Sequence, residues 1–352
     1  MKSKYLVLFA LFTINLFQAT SCMKVATLSS DGTVRIWDVQ TGKELQVIRD
    51  EGLLSFACPV AWSPNGKIAA IDRLGAIVVF DAKTGKKLKV LEGHEEWGRS
   101  VAWSSDGKKI ASGASDKTVR IWDAKTGDEL KVLRGHMEEV NSVAWSSDGK
   151  KVASAGSVDH TVRIWDLETG RDRVLGGDMY FVSAVAWISR KKVVSGSWDR
   201  AVRIWDLETG GCNVSEKYKR SIRAIACSPD GRKIVIGFFE GAVMICDAKT
   251  GQNLQVLEGH NGNINSIAWS PDGKKVASGA SDETVKIWDV KTGRCESILK
   301  GHTEQVYSVA FCPIKEIDKD KQERLAFLGR RQSIFKTMVL SKDSTKENNG
   351  GL

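Results

Sequence analysis

A histidine, a serine and an aspartate recur together along this chain at nearly fixed offsets. His94, Ser112 and Asp116 form one set, with Trp122 six residues further on. The set returns as His136, Ser154, Asp159 and Trp165, where the intervening loop is one residue longer, and as His260, Ser278, Asp282 and Trp288. Serine, histidine and a carboxylate are the parts of a nucleophile, its general base and the group that orients the base. The same parts can form a buried hydrogen-bond chain that fastens loops, since a fully satisfied polar network rigidifies a low-dielectric site. Repetition favours fastening: an enzyme has no use for several equivalent triads, and none of these serines lies in a GxSxG elbow. No catalytic residue is therefore assigned. The chain also shows no phosphate loop, no metal-ligand spacing and no isolated acid/base pair. No cofactor, metal or small-molecule substrate is expected.

The elements that position these residues follow from a longer period. TVRIWD at 33–38 returns as AIVVFD at 76–81, TVRIWD at 118–123 and 161–166, AVRIWD at 201–206, AVMICD at 242–247 and TVKIWD at 284–289. The closing residues are Asp38, Asp81, Asp123, Asp166, Asp206, Asp247 and Asp289, spaced 40 to 43 residues apart. A fixed period of this size signals stacked units. Within one period, RSVAW (99–103), KKIAS (108–112), TVRIW (118–122) and ELKVL (129–133) alternate apolar and polar residues, as half-buried strands do. SSDG, SDK and DAKTG separate them with turn chemistry. Four strands and three tight turns make an antiparallel meander. Such sheets cover their faces and lose their long edges when packed radially around an axis.

With Gly-His near its start and Trp-Asp near its end, this unit resembles the WD-repeat β-propeller family over residues 23–312. Intact Gly-His pairs stand at 93–94, 135–136, 259–260 and 301–302. Three junctions depart: Asp50-Glu51-Gly52, Gly177-Asp178, and Tyr218 in the place of a histidine. The first WD phrase arrives too early for a complete unit before it. Its missing inner strand reappears as VYSVAF at 306–311, so one blade is predicted from both termini and the fold is an all-β, seven-bladed propeller. An eight-bladed alternative would recruit 323–340 and part of 5–17. Seven-blade closure predicts a fourth set: His302 with Thr27, Asp31 and Trp37. The resemblance implies that all four sets are structural tetrads. Blade 2 has Ala70 and Phe80 at the Ser and Trp positions, and blade 6 has Ile236, Glu240 and Cys246 at the Ser, Asp and Trp positions. These two blades are expected to be held least cooperatively.

If function is recognition, it lies where the framework varies. Phe56, Trp97, Phe181 and Tyr307 stand in or next to loops leading into inner strands, joined there by Arg99 and Arg223. Trp198 and Phe239 occupy turns between second and third strands. The resemblance places these loops on the family's usual interaction face. Aromatics and arginines are the residue types that make binding hot spots. The other end carries Lys-Lys pairs at 108–109, 150–151, 191–192 and 274–275, Arg232-Lys233, and Lys83, Lys125, Lys249 and Lys291. It would account for much of the formal net charge of +9. Three function classes follow: a non-enzymatic scaffold binding a protein or peptide through the loop face; docking of the basic face on a membrane surface or nucleic acid; or an enzyme with its site in the central channel. The first is expected, on a monomeric ring.

Residues 1–22 differ from the rest. A basic start, an apolar run from Tyr5 to Phe17 and a small-residue exit read as a signal peptide or a lipoprotein-type anchor ending at Cys22. This predicts export or membrane attachment, against the alternative of a cytoplasmic protein. A disulfide between Cys22 and Cys312 would staple the termini in an oxidising compartment. Cys227 and Cys246 read as small buried apolar residues. Residues 313–352 form a charged tail, expected to be partly disordered.

Overall fold

The computed structural model describes residues 23–53, 59–72, 74–176, 180–215 and 218–313. The apolar N-terminal run, Phe56, the proposed eighth-blade segments and the charged tail lie outside them. The described strands form seven four-stranded antiparallel sheets, each a meander. We name the strands of each blade a to d from the channel outward. In blade 3 they are Gly98–Trp103, Lys109–Ala114, Val119–Asp123 and Glu129–Leu133. Blade 2 runs from strand Val60–Trp62 to strand Lys87–Leu91, blade 4 from Val140–Trp145 to Asp172–Leu175, and blade 5 from Val182–Ser189 to Cys212–Val214. Blade 6 runs from Ile222–Cys227 to Asn253–Leu257 and blade 7 from Ile264–Trp269 to Cys295–Leu299. Blade 1 takes strand a from Val306–Phe311 and strands b to d from Lys24–Ser29, Thr33–Asp38 and Glu44–Arg49. The predicted closure across the termini is thus present. Strand a of blade 1 packs beside those of blades 7 and 2, so the ring closes on seven.

Burial follows from the strand period. Strand b is buried on both faces in every blade, as in KIASGA of blade 3. Strand d keeps alternating residues in water and carries exposed Leu45, Leu88, Leu130 and Leu254. Blade-to-blade contact is close. A Cβ on Gly279 of strand b would lie 2.8 Å from Cγ1 of both Val306 and Val309, across the blade 7–blade 1 junction. Polar ties run between neighbouring inner strands as well. The Val143 N–H donates to Ser100 Oγ (3.0 Å), Val309 N–H to Ser266 Oγ (3.1 Å) and Val60 N–H to Ser308 Oγ (2.9 Å). The closing aspartate of each phrase serves the c–d turn. Asp123 Oδ1 accepts the N–H groups of Lys125 and Thr126 at 2.8 and 2.7 Å.

Candidate functional site

The repeated histidines complete the expected arrangement. His94 places Nδ1 at 2.8 Å from Asp116 Oδ2 and Nε2 at 2.7 Å from Ser112 Oγ, while Trp122 Nε1–H donates to the same Oγ at 2.8 Å. His136 with Asp159, Ser154 and Trp165 repeats this at 2.6, 2.7 and 2.7 Å. His260 with Asp282, Ser278 and Trp288 gives 2.8, 2.7 and 2.7 Å. The set across the termini is equally tight: His302 to Asp31 is 2.9 Å, His302 to Thr27 is 2.8 Å, and Trp37 to Thr27 is 2.9 Å. One proton arrangement satisfies each chain. The indole donates to the hydroxyl, the hydroxyl to Nε2, and Nδ1–H to the carboxylate.

Burial pushes the Asp31, Asp116 and Asp282 carboxyls up, but hydrogen bonds from histidine and threonine outweigh it. These carboxyls sit well below the usual carboxylate range, and Asp159 is lowered for the same reasons. The hydroxyls of Thr27, Ser112, Ser154 and Ser278 are fully buried, with their lone pairs and protons engaged inside the blade. That geometry fastens the d–a loop to strands b and c.

The irregular blades have fastenings of their own. In blade 2, Leu53 occupies the histidine position and is buried in one apolar cluster with Ala70 and Phe80. In blade 6, Tyr218 occupies it. Its hydroxyl lies 3.6 Å from Cys246 Sγ and 3.3 Å from the Gly251 carbonyl, and its ring packs edge-on to Phe238. Blade 5 keeps the indole–hydroxyl pair, Trp205 to Ser195 at 2.9 Å, while Asp199 turns to Arg203 at 2.6 Å. Burial pushes the Cys227 thiol up to about 12 and the Cys246 thiol up to about 11, so both stay protonated. Cys312 donates its backbone N–H to the Lys24 carbonyl, which ties the last strand of the propeller to its first. Cys22, the other half of the expected disulfide, is outside the described residues.

The loop end of the channel is built by two local devices. The first is a β-bulge in strand a. The a–b register skips Arg99, Asn141, Ser183, Arg223, Asn265 and Tyr307 in six blades. A bulge leaves one residue out of the ladder and re-aims its side chain. All six line one cavity of about 430 Å³ at the centre of the ring. The second device is a backbone hydrogen bond from the b–c turn to the preceding d–a loop, made in six blades among the described residues. Trp198 N–H donates to the Phe181 carbonyl at 3.0 Å and Phe239 N–H to the Ser221 carbonyl at 3.2 Å. These bonds bring Trp198 onto Phe181, with centroids 4.1 Å apart, and Phe239 edge-on to Trp198 at 5.5 Å. Arg223 lies over Phe239 at 5.3 Å.

The predicted cluster therefore divides. Phe181, Trp198, Phe239 and Arg223 form one wall, and Tyr307 lines the same channel. Trp97 stands apart over blade 3 and is 60% exposed. It lines a notch of about 410 Å³ together with Leu74. Arg99 is committed internally, to Glu139 at 2.5 Å and Ser115 at 3.0 Å. Sequence reasoning missed Leu74, Met137, Val158 and Tyr180, all more than half exposed on loops of the same end. The available signal was an apolar residue in a turn or loop where other blades are polar.

The opposite end is less cationic than its lysines suggest. Lys150 pairs with Glu168 at 3.0 Å, Lys191 with Glu208 at 2.5 Å, and Lys275 with Glu296. Lys151 and Lys192 lie 3.8 and 3.7 Å from Asp166 and Asp206. Among the described residues, no group of three or more His, Cys, Asp or Glu could hold a metal. None of their helices is long and apolar enough to cross a membrane.

Seven radial four-stranded sheets with inner strands around a channel define a β-propeller. The "WD domain, G-beta repeat" family model matches residues 85–123, 127–166, 173–206, 251–289 and 293–315. The chain belongs to the WD-repeat β-propeller family. It is also similar to a "Probable cytosolic Fe-S cluster assembly factor" of Schizosaccharomyces japonicus, 35% identical over 101 residues. That stretch is 28% of this chain and 16% of the fungal protein's length.

Proposed function

We propose that this chain is a non-enzymatic scaffold that binds a protein or peptide partner across its loop face. One observation carries the reading. The exposed apolar residues of the loops gather over blades 2 to 5, at Leu74, Trp97, Met137, Val158, Tyr180 and Trp198. The matching loops of blades 7 and 1 present Asn261, Asn263, Thr303 and Gln305. A framework under pressure only to fold would treat its blades alike. An apolar sector on one side of a ring marks an interaction site. The family's general use as a protein-interaction scaffold supports the reading. The likeness to an assembly factor is consistent with it. Immobilised full chain should capture a partner from a native lysate. A Trp97→Ala/Trp198→Ala variant should melt as the wild type does and capture none. Equal capture by the two would overturn the proposal.

A further inference from the structure

We infer that the channel mouth beside blades 5 and 6 holds a carboxylate-binding subsite centred on Arg223, which takes an aspartate or glutamate side chain of the partner. This rests on the loop-face reading above and goes further by naming the chemistry recognised.

The argument begins with the bulge residues. Three of them tie their blade to the next by the same bond. Asn141 Nδ2–H donates to the Val182 carbonyl (3.1 Å), Ser183 Oγ–H to the Ile222 carbonyl (2.8 Å) and Asn265 Nδ2–H to the Val306 carbonyl (3.0 Å). Arg99 makes an equivalent reach to Glu139 of the next blade. Arg223 breaks the belt. By position its acceptor would be the carbonyl of Ile264, yet the two form no bond, and its buried Nε meets no acceptor. Among the described residues no carboxylate lies within ion-pair distance of it. The neighbouring acid, Glu240, is paired with Arg220 at 3.0 Å. Burial works against the charge of Arg223, and Tyr307, which favours it, does not make up the difference.

A half-buried guanidinium with an orphaned donor is costly to leave unmet. Here it is held in place by the Phe239 ring and opens into the cavity. The guanidinium fork matches a carboxylate in shape and charge. The neighbouring wall of Phe181, Trp198 and Phe239 is apolar and would screen that pair from water, strengthening it. Charge decides between acidic ligands. Arg99 is already neutralised by Glu139, so the site offers one uncompensated cation. That balances one carboxylate and falls short of a phosphate carrying nearly two charges. The wall selects an acidic side chain flanked by an apolar one.

The test uses an array of acetylated, amidated hexapeptides with a central Asp, Glu, Asn, Gln or phosphoserine flanked by Leu or Phe, probed with the full chain. The acidic peptides should bind about tenfold or more tightly than their amide isosteres, the ratio expected for one charge-assisted pair. Arg223→Gln should abolish that ratio without lowering the melting temperature, and Arg223→Lys should keep part of it. Equal binding of acid and amide would overturn the subsite. So would a ratio that survives Arg223→Gln, a preference for phosphoserine, or no binding by any peptide. Lysate capture that still depends on Trp97 and Trp198 would then leave the loop-face reading standing alone.

Discussion

Replacing His302 with alanine tests how the ring is closed, because that side chain joins residues about 270 positions apart in sequence. The imidazole is buried; Nδ1 lies 2.9 Å from the Asp31 carboxylate and 3.3 Å from Thr33 Oγ1, and Nε2 lies 2.8 Å from Thr27. Losing a hydrogen bond to a charged group costs about 1.5–3 kcal/mol, and losing a neutral one about 0.5–1.5 kcal/mol. Part of this is recovered. Asp31 keeps Thr33 Oγ1 at 2.6 Å and the Thr303 N–H at 3.2 Å, and Thr27 keeps the Trp37 indole at 2.9 Å. A net loss of about 2–4 kcal/mol follows. A propeller this large shifts its melting point by about 2 °C per kcal/mol, so His302→Ala should melt about 4–8 °C below wild type by circular dichroism. The network also predicts coupling. In a double-mutant cycle, His302→Ala and Asp31→Ala should depart from additivity by about 1 kcal/mol or more. A shift below about 1 °C, or strict additivity, would refute the account of the tetrads as fastenings.

Other outcomes follow from the same geometry. Gly279→Ala drives a Cβ into Val306 and Val309 at the closing interface and should cost about 1–3 kcal/mol; an unchanged denaturation midpoint would show that the blades do not pack as described. The tetrad carboxyls of Asp31, Asp116, Asp159 and Asp282 are lowered in the folded state. Their stabilisation is therefore complete above the unfolded carboxylate range near pH ~4 and is lost as pH falls through the lower folded values. Chemical denaturation from pH 7 to 2 should show this loss, and a flat profile would contradict it. From the sequence of residues 1–22 alone we propose that the mature protein begins at Cys22; N-terminal sequencing or intact mass checks this, and retention of Met1 would argue for the cytoplasmic alternative.

Much of this fold was legible because the repeat writes its own constraints. The IWD phrase fixed strand c, its aspartate the following turn, and the orphaned VYSVAF the closing strand. The tetrads were equally visible, since their members are set by offsets within one period. What escaped depends on neighbours. Leu53 reads as a loop residue until Ala70 and Phe80 show that blade 2 has replaced a polar fastening with an apolar one. Arg99 reads as a free hot spot until Glu139 of the next blade neutralises it. The lysine-rich end looked cationic because Glu168, Glu208 and Glu296 lie far from their lysines in sequence. The bulge that aims Arg223 inward leaves no mark on the alternation pattern, because it is a property of pairing with strand b.

The proposal that the loop face of blades 2 to 5 is the recognition surface is tested most directly by hydroxyl-radical footprinting of the full chain, alone and with a captured partner. Oxidation of Trp97, Met137, Tyr180 and Trp198 should fall severalfold in the complex, while the lysine-bearing turns at the other end react as before. Protection confined to those turns, with the four loop residues still fully reactive, would contradict it.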